Sequence, residues 1–145
     1  MLLLTLVKLL MQMSGNKAAI LDSNIIIDFF SGKKDVVKQV TQLEQVFITS
    51  VVLGELYVGI HRISNKAKHL KKLESFLSVC TVLNVDSTTA QNFGQTVAAL
   101  YKKGKPIPTN DVWIAASAQQ HNLPLMTNDK HFKEIDDLLT ISIVS

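Results

Sequence analysis

Four acidic residues lie within or directly beside apolar stretches of this 145-residue sequence. They are Asp22, Glu55, Asp111 and Asp129. An ionised carboxylate in apolar surroundings costs free energy unless a cation or a hydrogen-bond network offsets its charge. Carboxylates that converge on one place also repel one another, and a divalent cation between them relieves that repulsion. Because the set contains oxygen ligands only, it favours Mg²⁺, or Mn²⁺ as its substitute, over zinc.

The positions of these acids along the chain predict that they converge. Asp22 and Asp129 each follow a predicted strand, and Glu55 lies on the helix after another strand. Asp111 opens the helix that leads to the strand before Asp129. In a parallel α/β sheet all these positions fall at the carboxyl edge, where ligands bind. Considered alone, Asp111 is explained as an acid that stabilises the first turn of a helix through the helix dipole, and Asp129 as a turn or cap residue. Taken together, the four acids predict a site for metal-assisted phosphodiester hydrolysis.

The segments that position the acids alternate between strand and helix patterns. Short apolar runs predict strands over residues 18–21, 46–49, 79–85, 125–127 and 139–144. Helical spacing predicts helices over residues 25–30, 35–45, 51–60, 64–78, 89–101 and 112–121. Ser50 is the predicted cap of the helix that carries Glu55, and Thr109 or Asn110 that of the last helix. The alternation predicts an α/β fold with a parallel sheet covered by helices on both faces.

The bulk composition fits a single domain with a sizeable core. Hydrophobic residues make up 47% of the chain, and the net charge is +3, a mild basic bias compatible with a phosphate-bearing partner. The lone Cys80 lies in an apolar run and is read as a core residue, which suits a reducing cytoplasm. Residues 1–16 form an apolar extension, too short to span a bilayer, and the domain is expected to occupy residues 17–145.

Four sequence pieces, in order, resemble the PIN-domain family and within it the VapC-type toxin ribonucleases. The pieces are Asp-Ser-Asn at 22–24, Glu-Leu-Tyr-Val-Gly at 55–59, Asn-Asp-Val-Trp-Ile-Ala-Ala at 110–116, and Thr-Asn-Asp at 127–129 followed by Phe132. The resemblance implies a three-layer α/β/α fold with a central, mainly parallel five-stranded sheet. It also implies a Mg²⁺-dependent endoribonuclease that cuts RNA, forms homodimers and is inhibited by a cognate antitoxin.

The resemblance assigns roles by position. Asp22, Glu55, Asp111 and Asp129 would form the catalytic and metal-binding quartet, with Asp22 and Asp111 nearest the metal. Asn24, Ser50 and Thr127 would supply hydrogen bonds to these ligands. The four histidines are scattered over separate elements, which favours surface or cap roles; His131 is the one nearest a predicted acid.

Two other functions stay open on sequence grounds. The first is a catalytically silent PIN-like module that binds RNA or protein. The second is a phosphoryl-transfer protein of receiver or haloacid-dehalogenase type, which also places an acid at the end of its first strand. The dehalogenase pattern would want an aspartate where Asn24 stands, and the paired acids of a receiver are not evident.

Overall fold

The computed structural model describes residues 2, 5, 6 and 17–145 of the chain. Residues 2, 5 and 6 are helical, and the rest of the predicted extension over residues 1–16 lies outside the described residues. None of the described helices is long and apolar enough to cross a membrane.

Strands and helices alternate along residues 17–145. The strands are β1 (Ala18–Leu21), β2 (Gln45–Thr49), β3 (Thr81–Leu83), β4 (Leu125–Met126) and β5 (Thr140–Ile141). The helices are α1 (Ser23–Phe30), α2 (Lys34–Thr41), α3 (Ser50–His61), α4 (Lys66–Leu77), α5 (Ser87–Lys103) and α6 (Thr109–His121). A short 3-10 helix, Lys130–Glu134, lies between β4 and β5. It was not predicted from the sequence.

The five strands form one sheet in the order β3-β2-β1-β4-β5, and every neighbouring pair is parallel. The central strand β1 pairs with β2 on one side and β4 on the other. Its successive residues Ala19, Ile20 and Leu21 point to opposite faces, yet each is 0% exposed. Both faces of the sheet are therefore covered, and the prediction of a three-layer α/β fold with a five-stranded parallel sheet is confirmed.

Two predicted helix caps are wrong. The cap of α3 is Thr49, whose Oγ1 accepts a hydrogen bond from the Val52 amide at 3.1 Å, so the helix begins at Ser50 instead of after it. Helix α6 follows Pro108 without a side-chain cap, which leaves Thr109 and Asn110 inside its first turn. Both helices start earlier than their polar residues suggested: the extended cap residue of α3 is already Thr49, and α6 begins directly after Pro108.

The edge strands are shorter than predicted. The apolar run over residues 79–85 yields only Thr81–Leu83, and residues 139–144 yield only Thr140–Ile141. Helix α2 likewise ends at Thr41, four residues before β2 begins at Gln45. Strands β3 and β5 are the two edge strands of the sheet, and each pairs on one side only.

Candidate active site

Asp22 lies where the central strand β1 passes into helix α1. Its side chain caps that helix, because Oδ1 accepts a hydrogen bond from the Ser23 amide at 2.8 Å. The residue is only 5% exposed. Burial raises the pKa of the Asp22 carboxyl, the hydrogen bonds from Thr127 and Ser23 lower it, and the nearby charge of Asp129 raises it again, with a net upward shift. This central position therefore holds a carboxyl whose ionised form is destabilised.

Thr127 connects two of the acids across neighbouring strands. It follows β4 directly, and its Oγ1 donates a hydrogen bond to Asp22 Oδ2 at 2.7 Å. The same oxygen accepts a hydrogen bond from the Asp129 amide at 3.0 Å. Thr127 is buried. One hydroxyl thus orients the Asp22 carboxylate and fixes the backbone that carries Asp129.

Glu55 lies on helix α3, which starts where β2 ends. Burial raises the pKa of its carboxyl, and the charges of Asp22 and Asp111 raise it further, while hydrogen bonding from Asn110 and Ser23 lowers it. Its Oε1 atom is buried and has no hydrogen-bond partner among the described residues. The half-buried Glu55 side chain therefore brings an unsatisfied oxygen towards Asp22 and Asp111.

Asp111 and Asp129 meet at the ring of His131. Asp111 stands in the first turn of α6, and its Oδ2 lies 3.1 Å from His131 Nδ1. Asp129 caps the 3-10 helix through a hydrogen bond from the His131 amide to its Oδ1 at 2.9 Å, and the same Oδ1 lies 3.2 Å from His131 Nδ1. Burial raises the pKa of Asp111, His131 opposes this shift, and Asp129 and Asp22 add to it.

The four acids therefore form one electrostatically coupled cluster at the carboxyl edge of the sheet. Asp22 repels Glu55 and Asp111, and Asp129 repels Asp22 and Asp111. A divalent cation fits this cluster on chemical grounds: the donors are carboxylate oxygens, their charges are only partly offset, and one buried oxygen lacks a partner.

Comparison with known proteins decides the family. Residues 19–138 match the family model of the PIN domain. The chain belongs to the PIN domain family. It is also 35% identical over 130 residues to a protein named Ribonuclease VapC1 from Rickettsia felis, over 87% of this chain and 96% of that relative. This relationship places the PIN domain among the VapC proteins and confirms the predicted family.

Solved structures of the same family share the fold. A structure of VapBC2 from Rickettsia felis bound to a promoter DNA fragment aligns with a TM-score of 0.81 and 28% identity, over 86% of this chain and 98% of that chain. VapBC-5 from Mycobacterium tuberculosis, described as a member of the VapBC family of toxin-antitoxin systems, aligns with a TM-score of 0.67 and 30% identity, over 88% and 98% of the two chains.

Of the three supporting residues predicted for this PIN domain, Thr127 contacts the acids. Asn24 is exposed on α1, and Ser50 opens α3 behind its cap Thr49. Among the described residues, no side-chain hydrogen bond joins Asn24 or Ser50 to the four acids, so their roles stay predictions.

The sequence predicts no site role for Ser23 or Asn110 and favours a surface or cap role for His131, although His131 is the histidine nearest a predicted acid. Ser23 and Asn110 lie near Glu55 and lower the pKa of its carboxyl, and His131 contacts both Asp111 and Asp129. The available signal was adjacency: Ser23 follows Asp22, Asn110 precedes Asp111, and His131 stands two residues after Asp129. Adjacency in sequence does not say where a side chain points. That orientation depends on where each helix starts, which the sequence analysis misplaced.

Replacing Thr127 tests its bridging role. Thr127→Val keeps the side-chain shape but removes the donor to Asp22 and the acceptor of the Asp129 amide. We expect it to weaken divalent-cation binding by about 10- to 100-fold, the usual effect of losing a group that orients a ligand. We also expect a loss of about 1–3 kcal/mol in the free energy of unfolding, because the buried hydrogen bond to Asp22 is lost and the partly buried Asp129 amide loses its acceptor. Calorimetric titration and urea unfolding measure the two effects. Thr127→Ser retains the hydroxyl and is the matched control; equal losses in both variants would argue against the bridge.

Proposed function

We propose that this PIN domain is a Mg²⁺-dependent endoribonuclease and the toxin component of a type II toxin–antitoxin pair, acting in the cytoplasm on cellular RNA. One observation carries the proposal. The carboxyls of Asp22, Glu55 and Asp111 lie near enough to one another for their charges to interact, and burial and this repulsion raise the pKa values of all three. Such a cluster destabilises the protein unless a positively charged ligand binds to it. Its presence therefore supports a functional site for a cation.

The cation would be held by Asp22 and Asp111, with Glu55 and Asp129 completing the set. When bound, Mg²⁺ supplies stabilisation for negative charge on phosphoryl oxygens and lowers the pKa of water beside it. Oxygen donors of this kind suit Mg²⁺ and Mn²⁺.

The remaining work falls to the protein's own side chains. Thr127 holds one oxygen of Asp22 while the Ser23 amide holds the other, so this carboxylate is oriented before any ligand arrives. Glu55 Oε1, which has no protein donor among the described residues, is free to accept a hydrogen bond from an attacking water or to bind the cation. We further propose that Asn24 and Ser50 supply supporting hydrogen bonds to the metal-binding acids, as the family resemblance implies.

An antitoxin protein is the proposed partner, and a homodimer the proposed assembly. The likeness to VapBC structures supports the antitoxin. Exposed apolar side chains on α1 and α3, including Ile27 and Val58, offer contact area for a protein partner. The net charge of +3 supports attraction of RNA. We further propose that the domain comprises residues 17–145 and that residues 1–16 lie outside it.

Metal removal tests the activity directly. Purified protein is incubated with a cellular RNA pool in Mg²⁺, in excess EDTA, and in EDTA followed by restored Mg²⁺. We expect discrete cleavage products with Mg²⁺, their loss with EDTA and their return on restoration. Cleavage that persists in EDTA would contradict the proposal. RNA binding without cleavage by the folded, Mg²⁺-loaded protein would instead favour the silent binding module.

A further inference from the structure

The ring of His131 faces two carboxylates with a single nitrogen atom. Nδ1 lies 3.1 Å from Asp111 Oδ2 and 3.2 Å from Asp129 Oδ1. The ligand atoms of these three residues all lie within 4.8 Å of one another. Neighbouring ligands around an octahedral ion with bonds of about 2.1 Å are roughly 3 Å apart. Both nitrogen-to-oxygen distances therefore match the spacing of adjacent ligands around one ion.

The segment around His131 holds the ring in this place. The His131 amide donates to Asp129 Oδ1 at 2.9 Å, and the next residue, Phe132, is buried in the core. Thr127 anchors the same segment through the Asp129 amide. The imidazole thus reaches the carboxylates from a backbone fixed at both ends, although its side chain is 53% exposed.

A second observation concerns Glu55, whose carboxyl is near enough to Asp111 for their charges to interact. Glu55 comes from α3, on a different element, and its buried Oε1 has no partner among the described residues. The Glu55 carboxyl is electrostatically coupled to Asp111. The protein therefore supplies a nitrogen, two carboxylates in contact with it, and an additional carboxylate oxygen that protein donors leave unsatisfied.

We propose that His131 Nδ1 is a direct ligand of the bound cation, and that this nitrogen makes the centre prefer a first-row transition ion such as Mn²⁺ over Mg²⁺. The inference rests on the proposed metal-dependent function and specifies its ion. Carboxylates suit Mg²⁺ and Mn²⁺ alike, whereas imidazole suits transition ions and adds little for Mg²⁺. A mixed set of one nitrogen and several oxygens shifts the balance towards the transition ion. Ligation requires the neutral ring with its proton on Nε2, which points away from the metal.

Electron paramagnetic resonance with Mn²⁺ as the probe tests the ligand without relying on activity. The wild-type protein is titrated with Mn²⁺ near neutral pH, and the bound ion is examined by spin-echo spectroscopy for modulation from a coordinated nitrogen. His131→Gln removes the imidazole but keeps a polar side chain. His121→Gln is the matched control, because His121 is exposed in the last turn of α6 while Asp111 is in its first turn.

We expect nitrogen modulation in the wild type and in His121→Gln, and none in His131→Gln. We also expect His131→Gln to weaken Mn²⁺ binding by about tenfold or more, while Mg²⁺ binding, measured by competition, changes much less. Bound Mn²⁺ without nitrogen modulation in the wild type would overturn the inference and leave the metal-dependent nuclease standing. Nitrogen modulation in a protein that does not cleave RNA would support the inference and defeat the proposed activity. A folded wild type that binds no Mn²⁺ would overturn both.

Discussion

Asp22→Asn is expected to lower RNA cleavage at least about a hundredfold while the protein stays folded. The substitution keeps the shape of the side chain and the acceptor for the Ser23 amide, but it removes the negative charge proposed to hold the cation. Asp22 follows the central strand and is coupled to all three other acids, so its loss affects the whole cluster. Initial cleavage rates on a defined RNA, at saturating Mg²⁺, measure the effect.

Asp35→Asn is the matched control for that experiment. Asp35 is exposed in the first turn of α2, and the same loss of one charge there should leave cleavage nearly unchanged. Equal cleavage by the wild type and Asp22→Asn would mean that a contaminating nuclease produces the signal. Equal losses in both variants would mean that net charge, instead of the site, controls the rate.

The same Asp22→Asn variant is expected to be more stable than the wild type when divalent cations are absent. The pKa of Asp22 is raised above its usual value of 3.8, chiefly by burial, so the folded protein binds this proton more tightly than the unfolded chain does. Stability from this group is therefore complete at low pH and is lost as pH rises from 3.8 through the raised folded-state pKa. Glu55 and Asp111 shift in the same direction and add to the trend.

Thermal unfolding of both proteins in EDTA, at acidic and at neutral pH, measures whether Asp22→Asn is more stable than the wild type and how that difference depends on pH. We expect Asp22→Asn to gain about 0.5–2 kcal/mol at neutral pH, as is common when a functional group is removed, and much less at acidic pH. Added Mg²⁺ should stabilise the wild type more than the variant, because the cation binds only the folded state. A variant less stable than the wild type in EDTA at neutral pH would show that the hydrogen bonds of Asp22 outweigh its burial.

The sheet was predictable because its signals are local and strong. The run Ala18–Leu21 is apolar and stops at a polar triplet, and such runs recur between helical stretches. Parallel strands then place their ends at one edge without further information. The grouping of Asp22, Glu55, Asp111 and Asp129 follows from that topology alone, and it is the part of the site that the sequence could supply.

The details within the site depend on where each helix starts and how each segment turns. Thr49, not Ser50, caps α3, because its hydroxyl reaches the Val52 amide from an extended backbone. The position of His131 depends on a 3-10 helix of five residues, too short to leave a periodic pattern. Local periodicity cannot detect such a turn, which the structure combines with the hydrogen bonds of Asp129 and with the buried side chain of Phe132.

Phe132→Ala is expected to lower the free energy of unfolding by about 3–5 kcal/mol. Phe132 is 1% exposed and is among the largest fully buried side chains of the described residues. Truncating it removes apolar contacts and leaves a cavity that the surrounding β-sheet and helices fill only partly. Since a domain of this kind is stable by about 5–15 kcal/mol, the loss is a large share of the total. Urea unfolding, with the midpoint and slope both fitted, measures it.

Phe132 lies directly beside functional residues, so the loss of its packing should also weaken cation binding at the proposed metal centre. Phe132 is the neighbour of His131 in the 3-10 helix that Asp129 caps, and its side chain is buried in the core. Phe132→Leu retains most of the apolar volume and should lose roughly 1–2 kcal/mol of unfolding free energy while still binding Mn²⁺.

Tyr101→Ala, which removes a ring that is 70% exposed, is the surface control and should change stability by about 0.5 kcal/mol or less. If Phe132→Ala proved as mild as Tyr101→Ala, the segment would be held by hydrogen bonds such as that from Thr127 to Asp22, and packing would not be what positions Asp129 and His131.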